Sequence, residues 1–561
     1  MRPRSIQPLA AAAPRRLLLL IPALLLGIGS GYLQQITPVF SGPDGFDQDP
    51  AYIYLLNGLS LDEGLCPPNV YHPGTPLQVL TGAVILLRWT FDWVASGFSS
   101  PGIVEMVAKA PETFISTVSV LLLLLNACAD YAFGRRVLQA SGSTGLALFA
   151  QCAPLAFWRV APRLVYLSPE ALQIAASLVL LALLTPLIVG REPLPDPVLD
   201  RLSWRAGLVC GFGIAVKVTF APMLCLLLLL PKCSAVRRGL LYAVFAFLVC
   251  VLPIFKQLSY FTFWITTLLR HSGRYGTGPA DVVNLATMRG NLPILIDLFP
   301  FFFLIFGLLV LALAWRFLRR SRGFASTAGL SERGELQVTS NSRSDAAHIS
   351  VRVPLSIVLA CTIQTVLVLK HFAAHYMVPV LPLSFAGAIW LIESNPLARH
   401  HPPTRTVARA ILLVLGLAMS VIASGRALGT LWTGRAASDA SVAAVRQELG
   451  RHPGSLLIGT SLCHLPQCAL AFGLEYSPAF EVEMAPFVGD FVLFDTWDSK
   501  LRVFGTLRWF EPNTIESELA RGREILLLAP DYPRITSFER EELLRTPLQS
   551  LYRIHGANPR R

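Results

Sequence analysis

The chain has 561 residues, of which 53% are hydrophobic and only 15% charged, and its mean hydropathy is +0.55. A soluble domain carries about 25% charged residues, so most of this chain belongs in lipid. Its net charge of +12 is dispersed through short loops between apolar runs, which is how a polytopic membrane protein sets its orientation. No basic face is left for nucleic acid.

Arg15 and Arg16 precede an apolar run from Leu17 to about Leu33. The run is longer than a signal-peptide core and no A-x-A-like cleavage site follows it, so it reads as a retained first span. The loop after it contains GFDQDPAYIY at 45–54, with Asp47 and Asp49 two residues apart, and no lysine or arginine between 37 and 75. One carboxylate of such a pair can take a proton from an acceptor hydroxyl or amine while the other orients a substrate. A solvated acidic loop would look the same, and Asp44, Asp62 and Glu63 show that acids are common there. A divalent metal at Asp47 and Asp49 is a further reading, and not the favoured one.

YHPGTP at 71–76 follows, where Pro73 and Pro76 fix a helix entrance and Gly74 permits close approach; His72 could contact a phosphate, with an ordinary interface histidine as the plainer reading. The run 76–97 holds Arg88, Trp89, Asp92 and Trp93, a composition suited to a helix lying at the membrane interface. Further apolar runs lie near 113–133, 144–161, 169–190, 204–217, 219–231, 238–256, 292–315, 353–369, 376–393 and 407–424, each compared with a hydrocarbon core of about 30 Å. With the first span they make about eleven crossings, from a cytoplasmic N-terminus to a periplasmic C-terminal domain. On this reading the inside loops hold Arg135 and Arg136, Arg191 and Arg201, Lys232, Arg237 and Arg238, Arg319, Arg320 and Arg322, and Arg399 and Arg405. Counting 76–97 as a crossing would put Arg135 and Arg136 outside, against the positive-inside rule.

Three more outer segments carry polar residues. VAPRLVYLSPEALQ at 160–173 contains Arg163, with Ser168, Pro169 and Glu170 in the pattern of a capped helix start; capping alone would explain all three. LRHSGRYGTGPADVV at 269–283 contributes Arg270, His271 and Arg274, and LKHFAAHYMVPVLP at 369–382 contributes Lys370, His371, His375 and Tyr376. Between two short apolar runs stands Lys217, with no acid near it in sequence. An ionisable group at such depth is a functional candidate, with snorkelling to the interface as its plain alternative. No H-E-x-x-H, paired C-x-x-C or Walker loop is present, and the histidines lack metal-ligand spacing.

Residues 318–350 are polar and basic and read as a mobile cytoplasmic loop. From 426 to 561 hydropathy falls; SLLIGTSL and EILLLAP read as buried strands, with helices near 439–450 and 514–521, making a small α/β domain. The transmembrane domain is therefore expected over 1–425, with an outer loop at 37–112. Most cysteines sit in apolar runs, but Cys463 and Cys468 lie close together in the outer domain, where a disulfide is chemically allowed.

Taken in order, FDQDPAY, YHPGTPL, the SPE loop, the glycine-containing run GLVCGFGIAVK and the K-H…H-Y-x-x-P segment resemble the GT-C glycosyltransferases, in particular bacterial relatives of protein O-mannosyltransferases and aminoarabinose transferases. The resemblance covers roughly residues 15–425. It implies an all-α polytopic fold in a bacterial inner membrane, a polyprenyl-phosphate-linked sugar donor, inverting displacement, no cofactor, and a glycan, lipid or protein acceptor. By the same resemblance Asp47 matches the base and Asp49 its neighbour. Glu170 stands where relatives usually carry an aspartate, and Lys217, His72 and the Lys370–Tyr376 segment match positions around the donor phosphate. The competing class is a transporter or flippase for an anionic or lipid-linked substrate. Transporters show paired halves with matching broken helices, whereas here the polar residues gather at one face.

The charge pattern yields a topology test. A reporter fused after Pro50 should register as periplasmic and one after Arg136 as cytoplasmic. A periplasmic signal at Arg136 would mean that 76–97 crosses.

Overall fold

The structure is a computed structural model. It describes residues 16–36, 49–71, 73–190, 194–272, 278, 280–281, 284–327, 340–394, 402–460, 463–489, 491–495, 500–503, 508–510, 513–529 and 538–557.

Helix α1 (Leu20–Gln35) is followed by α2 (Asp49–Asp62), α3 (Thr75–Ala95), α4 (Ile103–Lys109), α5 (Pro111–Ser141) and the short α6 (Thr144–Gln151). Next come α7 (Pro169–Val189), α8 (Asp196–Val216), α9 (Cys233–Val251), α10 (Leu258–Arg270), α11 (Leu285–Leu298) and α12 (Pro300–Thr327). The helical part closes with α13 (Ser340–Lys370), α14 (Leu381–Ser394) and α15 (Pro402–Leu449). Among the described residues, seven helical stretches are long and apolar enough to cross a membrane: Thr75–Ala95, Pro111–Ser141, Pro169–Val189, Cys233–Arg270, Pro300–Leu318, Val351–Lys370 and Pro403–Leu449. The protein is a polytopic membrane protein.

Of the expected spans missing from that set, the one in Asp196–Val216 has the length, 21 residues, but carries Asp196, Asp200, Arg201 and Arg205; the others are short or broken. Helix α1 has 16 residues. The run 144–161 is helical only to Gln151 and continues as turns with a 3-10 segment at Ala161–Leu164. The runs at 204–217 and 219–231 become α8 and a 12-residue 3-10 helix, Val218–Leu229, joined through extended backbone at Lys217. A 3-10 helix rises about 2.0 Å per residue, so these 12 residues reach roughly 24 Å. The run 376–393 likewise divides into a 3-10 turn, Ala374–Met377, and α14. Irregular backbone is tolerated at membrane depth only where protein surrounds it, and residues 152–168 are almost wholly buried. The helix at 75–95 has the length and composition of a span, so its placement at the interface rests on charge alone.

Two boundaries differ from expectation. Helices α12 and α13 extend into the stretch read as a loop over 318–350, to Thr327 and from Ser340. The division at 425 falls inside α15, whose 48 residues extend roughly 70 Å, more than twice the hydrocarbon core. One continuous helix therefore links the membrane part to the C-terminal domain.

That domain carries a seven-stranded sheet with α16 (Pro466–Glu475), α17 (Glu481–Val488) and α18 (Asn513–Ala520). Its strands are β1 (Leu456–Thr460), β2 (Phe491–Asp495), β3 (Lys500–Val503), β4 (Arg508–Phe510), β5 (Ile525–Ala529), β6 (Phe538–Arg545) and β7 (Ser550–Ala557), in spatial order β4-β3-β2-β1-β5-β7-β6. The central strands β2, β1 and β5 are parallel and the flanking ones antiparallel. Every residue of β5 is buried, as expected for a parallel strand covered on both faces; hence ILLLA reads as an unbroken apolar run.

The domain docks on α2. Tyr52, Leu55, Leu56 and Leu59 share one apolar core with Leu470, Leu474 and Met484, and a Cβ on Gly473 would lie 2.9 Å from that of Tyr52. Cys463, between β1 and α16, is bonded to Cys468 in the first turn of α16, with their Cα atoms 5.9 Å apart, inside the usual disulfide range. Both cysteines should therefore stay unlabelled by maleimide in denaturant without reductant, and label after reduction. Labelling before reduction would show that the bond is not formed.

Candidate functional site

Three breaks in regular helix meet at one point. Pro169 opens α7 and places Glu170 in its first turn. Ser168 occupies the N-cap position with extended backbone, but its hydroxyl makes no capping bond, so capping does not account for the SPE motif. Helix α8 ends at Lys217, whose φ of −162° and ψ of 131° turn the chain into the following 3-10 helix. The 3-10 turn Ala374–Met377 supplies His375 and Tyr376.

The side chains converge tightly. Lys217 Nζ donates to Glu170 Oε1 at 2.6 Å, with both side chains only 4% exposed. The same ammonium lies 4.6 Å from the centre of the Tyr376 ring, a cation–π contact. His375 Nε2 stands 3.8 Å from Glu170 Oε1, and its ring packs edge-on against Tyr376. Gln173, one turn into α7, donates to Lys217 O at 3.2 Å and Thr219 Oγ1 at 3.1 Å, holding the helix break open. Gln364 donates to Tyr376 O at 2.5 Å, and Ser177 to Pro379 O at 2.9 Å. Arg163 is buried beside this group, with its guanidinium over Tyr166. Lys217 has no acid near it in sequence, yet the fold gives it one from 47 positions away.

The other expected cations gather elsewhere. Lys370 Nζ donates to Leu268 O at 3.0 Å and Leu269 O at 2.7 Å, and a ring nitrogen of His371 lies 2.9 Å from Leu268 O. These groups satisfy the open carbonyls at the C-terminus of α10, where a positive charge is favoured. Arg270 is exposed in the last turn of that helix, and His271 Nδ1 lies 3.2 Å from Gly278 O. The Lys370–Tyr376 segment is thus shared between two centres. Asp49 opens α2; Asp47, His72 and Arg274 lie outside the described residues.

The glycines around Lys217 have a packing role. A Cβ at Gly207 would run into Gly239 O, and one at Gly211 into Ala243 O, so α8 and α9 approach at backbone contact, as small residues allow in membrane helices. Gln173 and Gln364 went unremarked in the sequence, although Gln173 lies one turn beyond Glu170, on the same helix face.

No protein-family model matches the chain, and no curated protein does either. Among solved structures it is similar to the crystal structure of ArnT from Cupriavidus metallidurans bound to undecaprenyl phosphate. The two share 14% identity over 95% of this chain and 97% of that one, with a TM-score of 0.52. The class so defined is a polytopic membrane protein with the ArnT fold, the architecture that the GT-C resemblance implies.

The ion pair makes a stability prediction. Removing one partner of a buried pair strands the other and costs about 3–5 kcal/mol. Lys217→Met should therefore lower stability in thermal unfolding by about that amount, and Glu170→Gln with Lys217→Met should recover most of it. Two additive single losses would show that the charges do not act as a pair.

Proposed function

We propose that the chain is a membrane glycosyltransferase, moving a sugar from a polyprenyl-phosphate donor to an acceptor at the outer face of a bacterial inner membrane. The observation that carries this reading is the buried Glu170–Lys217–Tyr376 group, with His375 beside it, set in the fold of a protein crystallised with undecaprenyl phosphate. A desolvated phosphate needs charge-assisted donors; Lys217 and Arg163 are the cations around that point, and His375 stands beside them. A bare carboxylate there would repel the phosphate. Glu170 is therefore assigned to hold and orient Lys217, which screens one anion from the other.

In the reaction an acceptor hydroxyl or amine attacks the anomeric carbon from the side opposite the phosphate. The new bond forms as the bond to the phosphate oxygen breaks with its electron pair, leaving polyprenyl phosphate. Asp47 takes the acceptor proton and Asp49 holds the acceptor. Inversion follows from the single displacement, and the chemistry itself calls for no cofactor. The acids face outward because a lipid-linked donor is presented there.

The test is mass analysis of polyprenyl-phosphate sugars and envelope glycans in cells lacking the protein. One lipid-linked sugar should accumulate and one glycan modification should disappear; unchanged pools of both would overturn the assignment. In purified protein, Asp47→Asn should bind donor normally while single-turnover transfer falls roughly 10²-fold or more, the scale of general-base catalysis. Near-normal transfer would move the role to Asp49.

A further inference from the structure

An open cleft of about 430 Å³ runs along the first three turns of α5, lined by Glu112, Thr113, Ser116, Thr117 and Val120. None of these residues belongs to the Glu170–Lys217 group. A first-turn acid is favoured by the helix dipole, which would account for a Glu112 simply turned to solvent. Here it is held instead: Tyr52 of α2, only 2% exposed, donates its hydroxyl to Glu112 Oε1 at 2.9 Å. Tyr52 shares one buried core with Phe114, Ile115 and Val118 of α5, so the contact that orients the carboxylate is set by the packing of two helices. Among the described residues no cation pairs with Glu112, and its Oε2 has no partner.

The rest of the lining is built from hydroxyls. Thr117 donates to Thr113 O at 2.8 Å, which leaves its oxygen lone pairs for an incoming donor. Thr113 and Ser116 are exposed, and their hydroxyls have no hydrogen-bond partner among the described residues. Val120 and Leu124, 44% and 45% exposed, continue the same helix face as an apolar stripe. The cleft also has a fixed relation to the outer acids. Helix α2 starts at Asp49, one turn before Tyr52, and side chains three apart on a helix stand about 5–6 Å from one another. The Tyr52 bond therefore ties the cleft to the end of α2 where Asp49 stands.

We propose that this cleft is the acceptor subsite, and that it takes an uncharged polyhydroxyl ring, the chemistry of a saccharide. The inference rests on the glycosyltransferase reading above. A carboxylate accepts charge-assisted bonds from ring hydroxyls, while serine and threonine hydroxyls serve a ring as donor or acceptor. A phosphate at the same place would meet Glu112 with no cation between them and be repelled. The two reactants are thereby sorted by charge, the anionic donor at Lys217 and Arg163 and the neutral acceptor at Glu112. The shared chemistry is a sugar ring, either free or borne on an alkyl chain; Val120 and Leu124 offer such a chain an apolar track.

The experiment uses membranes of cells lacking the protein, with the full-length chain or a variant restored. Their own polyprenyl-phosphate sugars serve as donor, and their own envelope material is extracted and titrated as acceptor. The transferred sugar should appear on a ring hydroxyl, in a linkage that survives the mild acid that cleaves glycosyl phosphates. Glu112→Gln keeps an oxygen for Tyr52 but loses the charge, and should raise the half-saturating acceptor concentration about tenfold or more. Its maximal rate and its donor dependence should stay within about twofold, as loss of acceptor binding alone requires. Unchanged thermal unfolding of the variant shows that the fold is kept. Preference for the intact extract over the same glycan stripped of lipid assigns the acceptor to an amphiphile, and equal use assigns it to a free glycan; both support the subsite. Sugar delivered to a phosphate or a peptide, or an unaltered acceptor dependence in Glu112→Gln, would overturn the proposal and leave the glycosyltransferase reading standing. No transfer to any acceptor by the unmodified chain would overturn both.

Discussion

A charge placed inside a membrane protein has to find a counter-charge within the same fold, and the Glu170–Lys217 pair shows what meeting that demand does to the backbone. Desolvating either group alone is expensive, and their attraction offsets the cost only when the geometry is close and the remaining polar atoms are served. The 2.6 Å contact supplies the geometry. The Tyr376 ring and Gln173 supply the rest, the first facing the ammonium and the second holding the carbonyl of Lys217. Each participant comes from a place where regular helix has stopped: the first turn of α7, the end of α8, and the 3-10 turn before α14. A lysine in mid-helix would project on a fixed face; Lys217 keeps its i−4 bond to Gly213 O but leaves helical φ and ψ. At the end of α8 it is free to turn inward.

The same constraint explains the irregular stretches around it. Backbone groups that leave a helix in lipid need partners from the protein, and here side chains provide them. Gln173 serves Lys217 O, Gln364 serves Tyr376 O and Ser177 serves Pro379 O. Each of these three donors is buried and polar, and each lies within or beside a strongly apolar run. Their distribution marks out the level of the fold where chemistry is feasible, since an ordered interior with unpaired helix ends can present polar groups to a ligand without opening to lipid.

Much of the architecture is legible in the sequence because hydropathy is one-dimensional information. The apolar runs, the parallel strand at ILLLA and the helix entrance at Pro169 follow from composition and local sterics. What hydropathy does not carry is where a run stops being helical. The stretch 144–161 and the two runs flanking Lys217 are apolar throughout, so nothing in their composition shows that α6 ends at Gln151 or that residues 218–229 wind as a 3-10 helix. Partners are still less visible. Lys217 looks solitary because its acid lies two helices back, and Lys370 looks like a phosphate ligand because the carbonyls it satisfies at the end of α10 leave no trace in residue type. Of the residues expected at one centre, the fold brings Glu170, Lys217, His375, Tyr376 and Arg163 together, and it gives Lys370 and His371 to a helix terminus.

The C-terminal domain is tied to the same centre through α2, the helix that Asp49 opens. Asn57 is fully buried in that helix and its side chain is used in several directions. Its amide donates to Ile53 O at 2.8 Å and to Ser477 Oγ at 3.1 Å, and its carbonyl accepts from Asn69 N at 3.0 Å. A single amide thereby joins α2, the segment leading to Tyr71, and the turn after α16. Tyr71 in turn packs edge-on against Tyr476, and Gly473 lets α16 reach Tyr52 at near backbone contact. Buried amides of this kind are costly when any partner is lost, so the three segments are constrained to move as one. Asp49 thus begins a helix whose buried residues pack against the C-terminal domain, and the long α15 fixes that domain to the membrane part. Folding of the C-terminal domain and placement of α2 are consequently a single structural problem, solved by the apolar core that both share.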